Sequence, residues 1–156
     1  GATGYRVYQY NNSTKKWGAV ANTTSTVYMF NSLKAGTTYK FTVRPYRTLN
    51  GKNYFSQGYS TFTTSTNPAT VNFTLTPGSK KAGVTWEMVA GATDYIVYYK
   101  TSPEAKWVML TKTTGTAYTK TELTNGNTYY FTVKACRTVE GKNYYGKYVT
   151  KSVTVK

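Results

Sequence analysis

The stretch Leu123-Thr124-Asn125-Gly126-Asn127-Thr128-Tyr129-Tyr130-Phe131-Thr132-Val133 decides how this chain is read. A leucine and an Asn-Gly-Asn turn lead into a segment with a side-chain period of two. Tyr129, Phe131 and Val133 fall on one face and Tyr130 and Thr132 on the other, the pattern of a half-buried β-strand. The same design stands at an offset of 90 residues, as Leu33-Lys34-Ala35-Gly36-Thr37-Thr38-Tyr39-Lys40-Phe41-Thr42-Val43. Working outward, residues 1–55 align with 91–145 without a gap, and 25 of the 55 positions are identical. Gly1-Ala2-Thr3 matches Gly91-Ala92-Thr93, and Gly51-Lys52-Asn53-Tyr54 matches Gly141-Lys142-Asn143-Tyr144. A period of nearly domain size means tandem copies of one module.

The second copy reads strand by strand. Val71, Phe73 and Leu75 alternate with polar residues up to a turn at Pro77-Gly78, and Gly83 to Glu87 carries Trp86 toward a core. Strands follow at Tyr95 to Tyr99, Trp107 to Leu110, Ala117-Tyr118 and Tyr129 to Ala135. A hairpin at Glu140-Gly141 returns through Tyr144-Tyr145 to a last strand over Lys151 to Val155. Seven strands with turns every 8 to 12 residues make the rhythm of a β-sandwich. The first copy holds the same elements from the third strand onward: Tyr5 to Tyr8, Trp17 to Val20, and Tyr39 to Val43. Asn50-Gly51 is a type I′ hairpin signal. One extra residue between Phe55 and Tyr59 reads as either a bulge or a longer loop. The expected organisation is a partial module over residues 1–66, a linker over 67–70 and a complete module over 71–156. So short a linker leaves little freedom and favours a rod of limited bending.

Composition agrees with an all-β chain. Aromatics are 17% of the residues, with 17 tyrosines. These and the abundant threonines suit a pleated surface better than a helix. The net charge is +15, yet all five carboxylates (Glu87, Asp94, Glu104, Glu122, Glu140) lie in the second copy. That balance either attracts polyanions or simply keeps sheet edges charged and soluble. There is no histidine, and the single Cys136 excludes an intrachain disulfide. Cys136 stands where the first copy has Tyr46, which fits a small apolar filler better than a nucleophile. No acid is shared between the copies, so no paired-carboxylate site is expected. Neither are a catalytic residue, a metal site, a cofactor or a membrane span. No nucleic-acid motif accompanies the charge, and nucleic acid is not an expected partner.

Two signatures resemble the fibronectin type III domain. One is the leucine, turn and tyrosine of the opening stretch, which resembles the family's "tyrosine corner". The other is Trp86 followed by Gly91-Ala92-Thr93-Asp94-Tyr95. The resemblance implies tandem immunoglobulin-like sandwiches, the first lacking strands A and B in this chain. It also implies that Tyr39 and Tyr129 bury their rings and bond backbone a few residues upstream, with Trp86 in the core. The dialect of Gly-Ala-Thr-x-Tyr, Lys-x-Trp and Arg-Thr-x-x-Gly-Lys-Asn-Tyr is similar to modules of secreted or cell-surface proteins of Gram-positive, clostridia-like bacteria. Such modules usually space catalytic or adhesive domains from the wall. The missing strands leave two readings open: the sequence is a piece of a longer chain, or another chain supplies the strands.

Binding residues follow from the strand phase. In the first copy Arg6, Tyr8, Tyr10, Lys40 and Arg44 point outward, and in the second Tyr98, Lys100, Tyr130, Thr132 and Lys134 do. Aromatic faces and cations together suit an anionic polysaccharide or cell-wall polymer, or form a solvated face of cross-strand pairs. A second candidate is the hairpin with Arg47, Lys52 and Tyr54, repeated by Arg137, Lys142 and Tyr144. Trp17 and Trp107 are expected to cover the sheet edge beside the third strand, with stacking on a carbohydrate as the alternative. The expected role is a non-catalytic extracellular spacer whose partners are neighbouring domains of the same polypeptide. The alternatives are an adhesive or glycan-binding module and a strand-exchanging polymer subunit.

Overall fold

The computed structural model describes all of residues 1–156, and every regular element in it is a β-strand. No helix is long and apolar enough to cross a membrane. The chain divides into two compact units, Gly1–Leu33 with Thr38–Ser65, and Lys34–Thr37 with Thr66–Lys156.

The first unit is a single sheet of five strands: β1 (Gly4–Asn11), β2 (Lys16–Thr23), β3 (Thr38–Leu49), β4 (Lys52–Phe55) and β5 (Thr61–Ser65). β3 is central, paired with β1 on one side and with β4 and β5 on the other. Asn50 and Gly51 both have positive φ (50° and 73°), the backbone of the type I′ turn that the dipeptide announces. The extra residue lies between β4 and β5 and does not bulge a strand; residues 56–60 match the length of 146–150 because β5 starts pairing one position earlier than β13 does.

The second unit has two sheets. One is β10–β7–β6, made of β6 (Phe73–Gly78), β7 (Lys81–Trp86) and β10 (Ala117–Lys120). The other joins β8 (Asp94–Lys100), β9 (Val108–Thr113), β11 (Thr128–Val139), β12 (Lys142–Tyr145) and β13 (Lys151–Thr154). Their inner faces meet in one core of Val71, Phe73, Val84, Trp86, Tyr95, Val97, Leu123, Tyr129, Phe131, Val133 and Val155. Trp86 packs on Tyr95 with ring centroids 5.5 Å apart. Tyr129 forms the corner: the Thr124 N–H donates to its phenolic oxygen at 3.0 Å. That donation favours the phenolate and holds the Tyr129 pKa below the ordinary value.

Several sequence expectations need correction. Pro77-Gly78 does not end the first strand; β6 runs through both, and the turn is at Ser79-Lys80. β6 is an edge strand, where a proline's missing N–H is tolerated. The last strand is broken into β12 and β13, making eight strands instead of seven. The first copy has no counterpart of β10. In the second unit β10 pairs with β7, and the first unit has no strand like β7, so residues 27–30 find no ladder. Both copies also carry a register shift at the same place, between Val7 and Tyr8 and between Val97 and Tyr98.

The two units differ most in what covers the shared face. Phe131 and Val133 are both fully buried, whereas Val43, the counterpart of Val133, is 39% exposed. Val27, Met29 and Phe62 are more than half exposed. Phe41 and Val7 are nevertheless buried, Phe41 with Phe30 at 4.0 Å and Tyr39 and Phe62 at 5.9 and 5.5 Å.

Candidate functional site

The outward face of the first unit gathers cations that have no carboxylate near them in sequence. Antiparallel pairing sets Arg6 directly opposite Arg44 and Tyr8 opposite Thr42. Two opposed guanidinium groups repel unless something lies between them. Both groups lie against the Phe55 ring, with Arg6 and Arg44 at 4.6 and 5.4 Å from its centroid, which offsets the repulsion. Each guanidinium also donates at 2.7 Å, Arg6 to the Asn22 side chain and Arg44 to the Ser56 carbonyl. Arg44 lies 5.3 Å from the Tyr59 ring, and Lys40 lies 6.0 Å from Tyr10. Tyr10 meets Trp17 edge-on at 5.3 Å. The Thr42 hydroxyl donates to the Ser60 carbonyl at 2.7 Å.

The second unit repeats the face with different surroundings. Tyr98 lies opposite Thr132, Lys100 opposite Tyr130, and Lys134 opposite Ile96. The Lys100 ammonium sits over Trp107 (4.9 Å) and Tyr130 (5.8 Å) and donates to the Pro103 carbonyl. Lys134 sits over Tyr148 (4.5 Å) and Tyr98 (5.9 Å). Trp107 and Tyr148 meet nearly at right angles, 85°, with centroids 6.5 Å apart. Tyr98, Trp107, Thr132, Lys134 and Tyr148 thus line one cleft of about 120 Å³. The strand phase places Tyr98, Lys100 and Lys134 on this face, and Trp107, expected to cover the sheet edge or stack on a sugar, joins them; Tyr148 is the member the sequence reading passes over. The single insertion hides Tyr148: counted past it, Tyr148 stands where the first copy has Tyr59.

The hairpin residues gather separately. Arg47 pairs with Tyr54 and Arg137 with Tyr144. Lys52 lies 5.5 Å from Tyr54, and Lys142 lies 5.3 Å from Tyr144. Arg137 donates to the Gly91 carbonyl at 2.6 Å, tying β11 to the loop before β8. A larger open depression of about 450 Å³ over β6 and β7 is lined mostly by threonine, asparagine and the Glu87–Val89 segment.

The carboxylates are dispersed. Glu87, Glu104, Glu122 and Glu140 are exposed. Asp94 is buried, accepts from the Thr93 hydroxyl at 2.8 Å and pairs with the Lys112 ammonium at 3.1 Å. The hydrogen bond and charge of Asp94 raise the Lys112 pKa. Cys136, opposite Asp94 in the ladder, is fully buried, and its thiol is pushed up by burial first and by the Asp94 charge second. A raised pKa suppresses the thiolate, so this sulfur is a packing atom in the native state.

No protein-family model matches the chain, and no curated protein matches it. Solved structures do. A segment of two fibronectin type III domains from chicken tenascin aligns with 99% of this chain and 86% of its own, at 14% identity and a TM-score of 0.59. The chicken CNTN1 FN1-FN3 domains align with 100% of this chain and 56% of their own, at 17% identity and a TM-score of 0.49. A structure described as FN3tt mut covers 57% of this chain and 97% of its own, at 26% identity and a TM-score of 0.47. The chain therefore has the all-β fold of tandem fibronectin type III modules, the first of them present as one sheet.

Proposed function

We propose that this chain is a non-catalytic spacer and presentation module of a larger extracellular protein, secreted or held at a cell wall or surface. The observation that supports this best is the use made of the cations. Arg6, Lys40, Arg44, Lys100 and Lys134 each lie 4.5 to 6.0 Å from a ring of their own module. Their charge stiffens two tyrosine-rich faces. The central strand of each module has 12 residues, which spans about 4 nm at about 3.3 Å per residue. The partners are then further domains of the same polypeptide, in a protein of the Gram-positive surface kind that the repeat dialect resembles. Donor and acceptor fluorophores attached at the two ends of the chain test this. A spacer gives one narrow distribution of transfer efficiency, and a broad distribution like that of a flexible linker would refute it.

The open inner face of the first sheet favours a second reading, in which a two-stranded segment from outside these 156 residues completes that module. In the second unit the same face is covered by β6 and β7, through Phe73, Val84 and Trp86. A hairpin with that alternation of large apolar residues is the cover this face would accept. A synthetic peptide of residues 69–90 added to the chain is expected to protect the amides of β3 from exchange. Unchanged exchange at saturating peptide would remove this reading.

A further inference from the structure

We propose that the cleft formed by Tyr98, Trp107, Lys134 and Tyr148 over Thr132 binds an acidic sugar ring. This goes beyond the spacing role and rests on an asymmetry between the two copies. Thr132 is 1% exposed, and its hydroxyl has no hydrogen-bond partner in the protein. Buried hydroxyls are almost always paired, so an orphan at the floor of a cleft marks where a ligand atom belongs. The equivalent Thr42 hydroxyl is occupied by the Ser60 carbonyl at 2.7 Å. The difference has a structural cause. β5 pairs up to Thr42 with Thr61, bringing Ser60 alongside, whereas β13 stops pairing at Phe131 with Lys151. Beside Thr132 the neighbouring chain has already left the ladder.

The walls indicate the ligand's chemistry. Trp107 and Tyr148 stand at 85° with centroids 6.5 Å apart, a corner instead of a pair of parallel plates. A flat base is held best between parallel rings or stacked on one platform. A corner with a hydroxyl floor fits a puckered ring that offers C–H groups to the walls and O–H groups to Thr132. The volume, about 120 Å³, admits part of one such ring and is well below a drug-sized pocket. The ring carries an anion, because Lys134 lines the cleft and Lys100 lies over Trp107 while no lining residue is acidic. A carboxylate or phosphate there gains a charge-assisted bond from Lys134, and the Lys100 ammonium over Trp107 adds its field. A hexuronate residue of a polysaccharide has all three properties.

Titration of the isotopically labelled 156-residue chain, followed at the Trp107 indole and the Thr132 and Lys134 amides, tests the proposal. Tri-galacturonate is expected to shift these signals with a Kd of about 1 mM, and the neutral trisaccharide cellotriose to bind about tenfold more weakly. Thr132→Val is expected to weaken binding about tenfold with no loss of Tm, since it deletes an unpaired hydroxyl. Tyr148→Ala, at a 47% exposed side chain, is expected to weaken it similarly. Thr42→Val should leave binding unchanged. The proposal fails if tri-galacturonate shifts none of these signals, if cellotriose binds equally well, or if Thr132→Val binds like the parent chain. Saturation by a glycerol-phosphate oligomer alone would overturn the ring assignment, and tighter binding of oligo(dT) would overturn the sugar.

Discussion

Val133→Asp will unfold the second module, while Val43→Asp, at the matching position of the repeat, will leave the first sheet formed. The two valines occupy the same place on the same strand pattern, opposite Val97 and Val7 in their ladders. Val133 has 0% of its surface exposed and Val43 has 39%. A carboxylate at Val133 lies among Phe131, Val84 and the other core side chains, with no cation in that cluster to meet it. Burying it, ionised or neutralised, costs at least about 4 kcal/mol, comparable with the whole stability of a domain this size. At Val43 the carboxylate reaches water, and the cost is about 1 kcal/mol or less, as for most surface changes. Near-ultraviolet circular dichroism of the buried Trp86 and Tyr95 pair reports the first loss, and far-ultraviolet signal retained by the Val43 variant reports the second. Equal damage from both substitutions would mean that the first module's inner face is covered after all.

This contrast also shows what a repeat can and cannot reveal. The tyrosine corner, the apolar alternation of β8 and β11 and the Asn50-Gly51 turn were legible because each depends on residues adjacent in sequence. Local chemistry also failed at definite points. Pro77-Gly78 has the composition of a turn, but only the strand's place at a sheet edge decides whether proline is excluded. Val27 to Phe30 has strand-like residues, yet a strand is a pairing, and its partner is not encoded nearby. The unpaired residues of that shift, Val20 on β2 and Leu110 on β9, carry no bulge signature, since neither is glycine or proline.

The candidate site was legible in its charges and not in its floor. Strand phase alone put Tyr98, Lys100 and Lys134 outward and together. What separates Thr132 from Thr42 is where the neighbouring strand stops pairing: β5 reaches Thr42, and β13 stops one position short of Thr132. Its effect on a hydroxyl on another strand is visible only in three dimensions. The same holds for Trp107, whose right-angle contact with Tyr148 joins residues about 40 positions apart in sequence.

Amide hydrogen exchange across β3 and β11 is the decisive measurement, because the two strands share 7 of their 12 aligned residues. Each has 12 residues, and each is paired on both sides along much of its length. They differ in whether a second sheet covers their inner face. Exchange from the closed sandwich should require global opening, slowing β11 amides by on the order of 10⁴-fold or more. The open sheet admits water to one side and opens locally, so the β3 amides should exchange at least about a hundredfold faster than their β11 counterparts. Equal protection at Phe41 and Phe131, and at Val43 and Val133, would contradict one closed and one open module built on the same repeat.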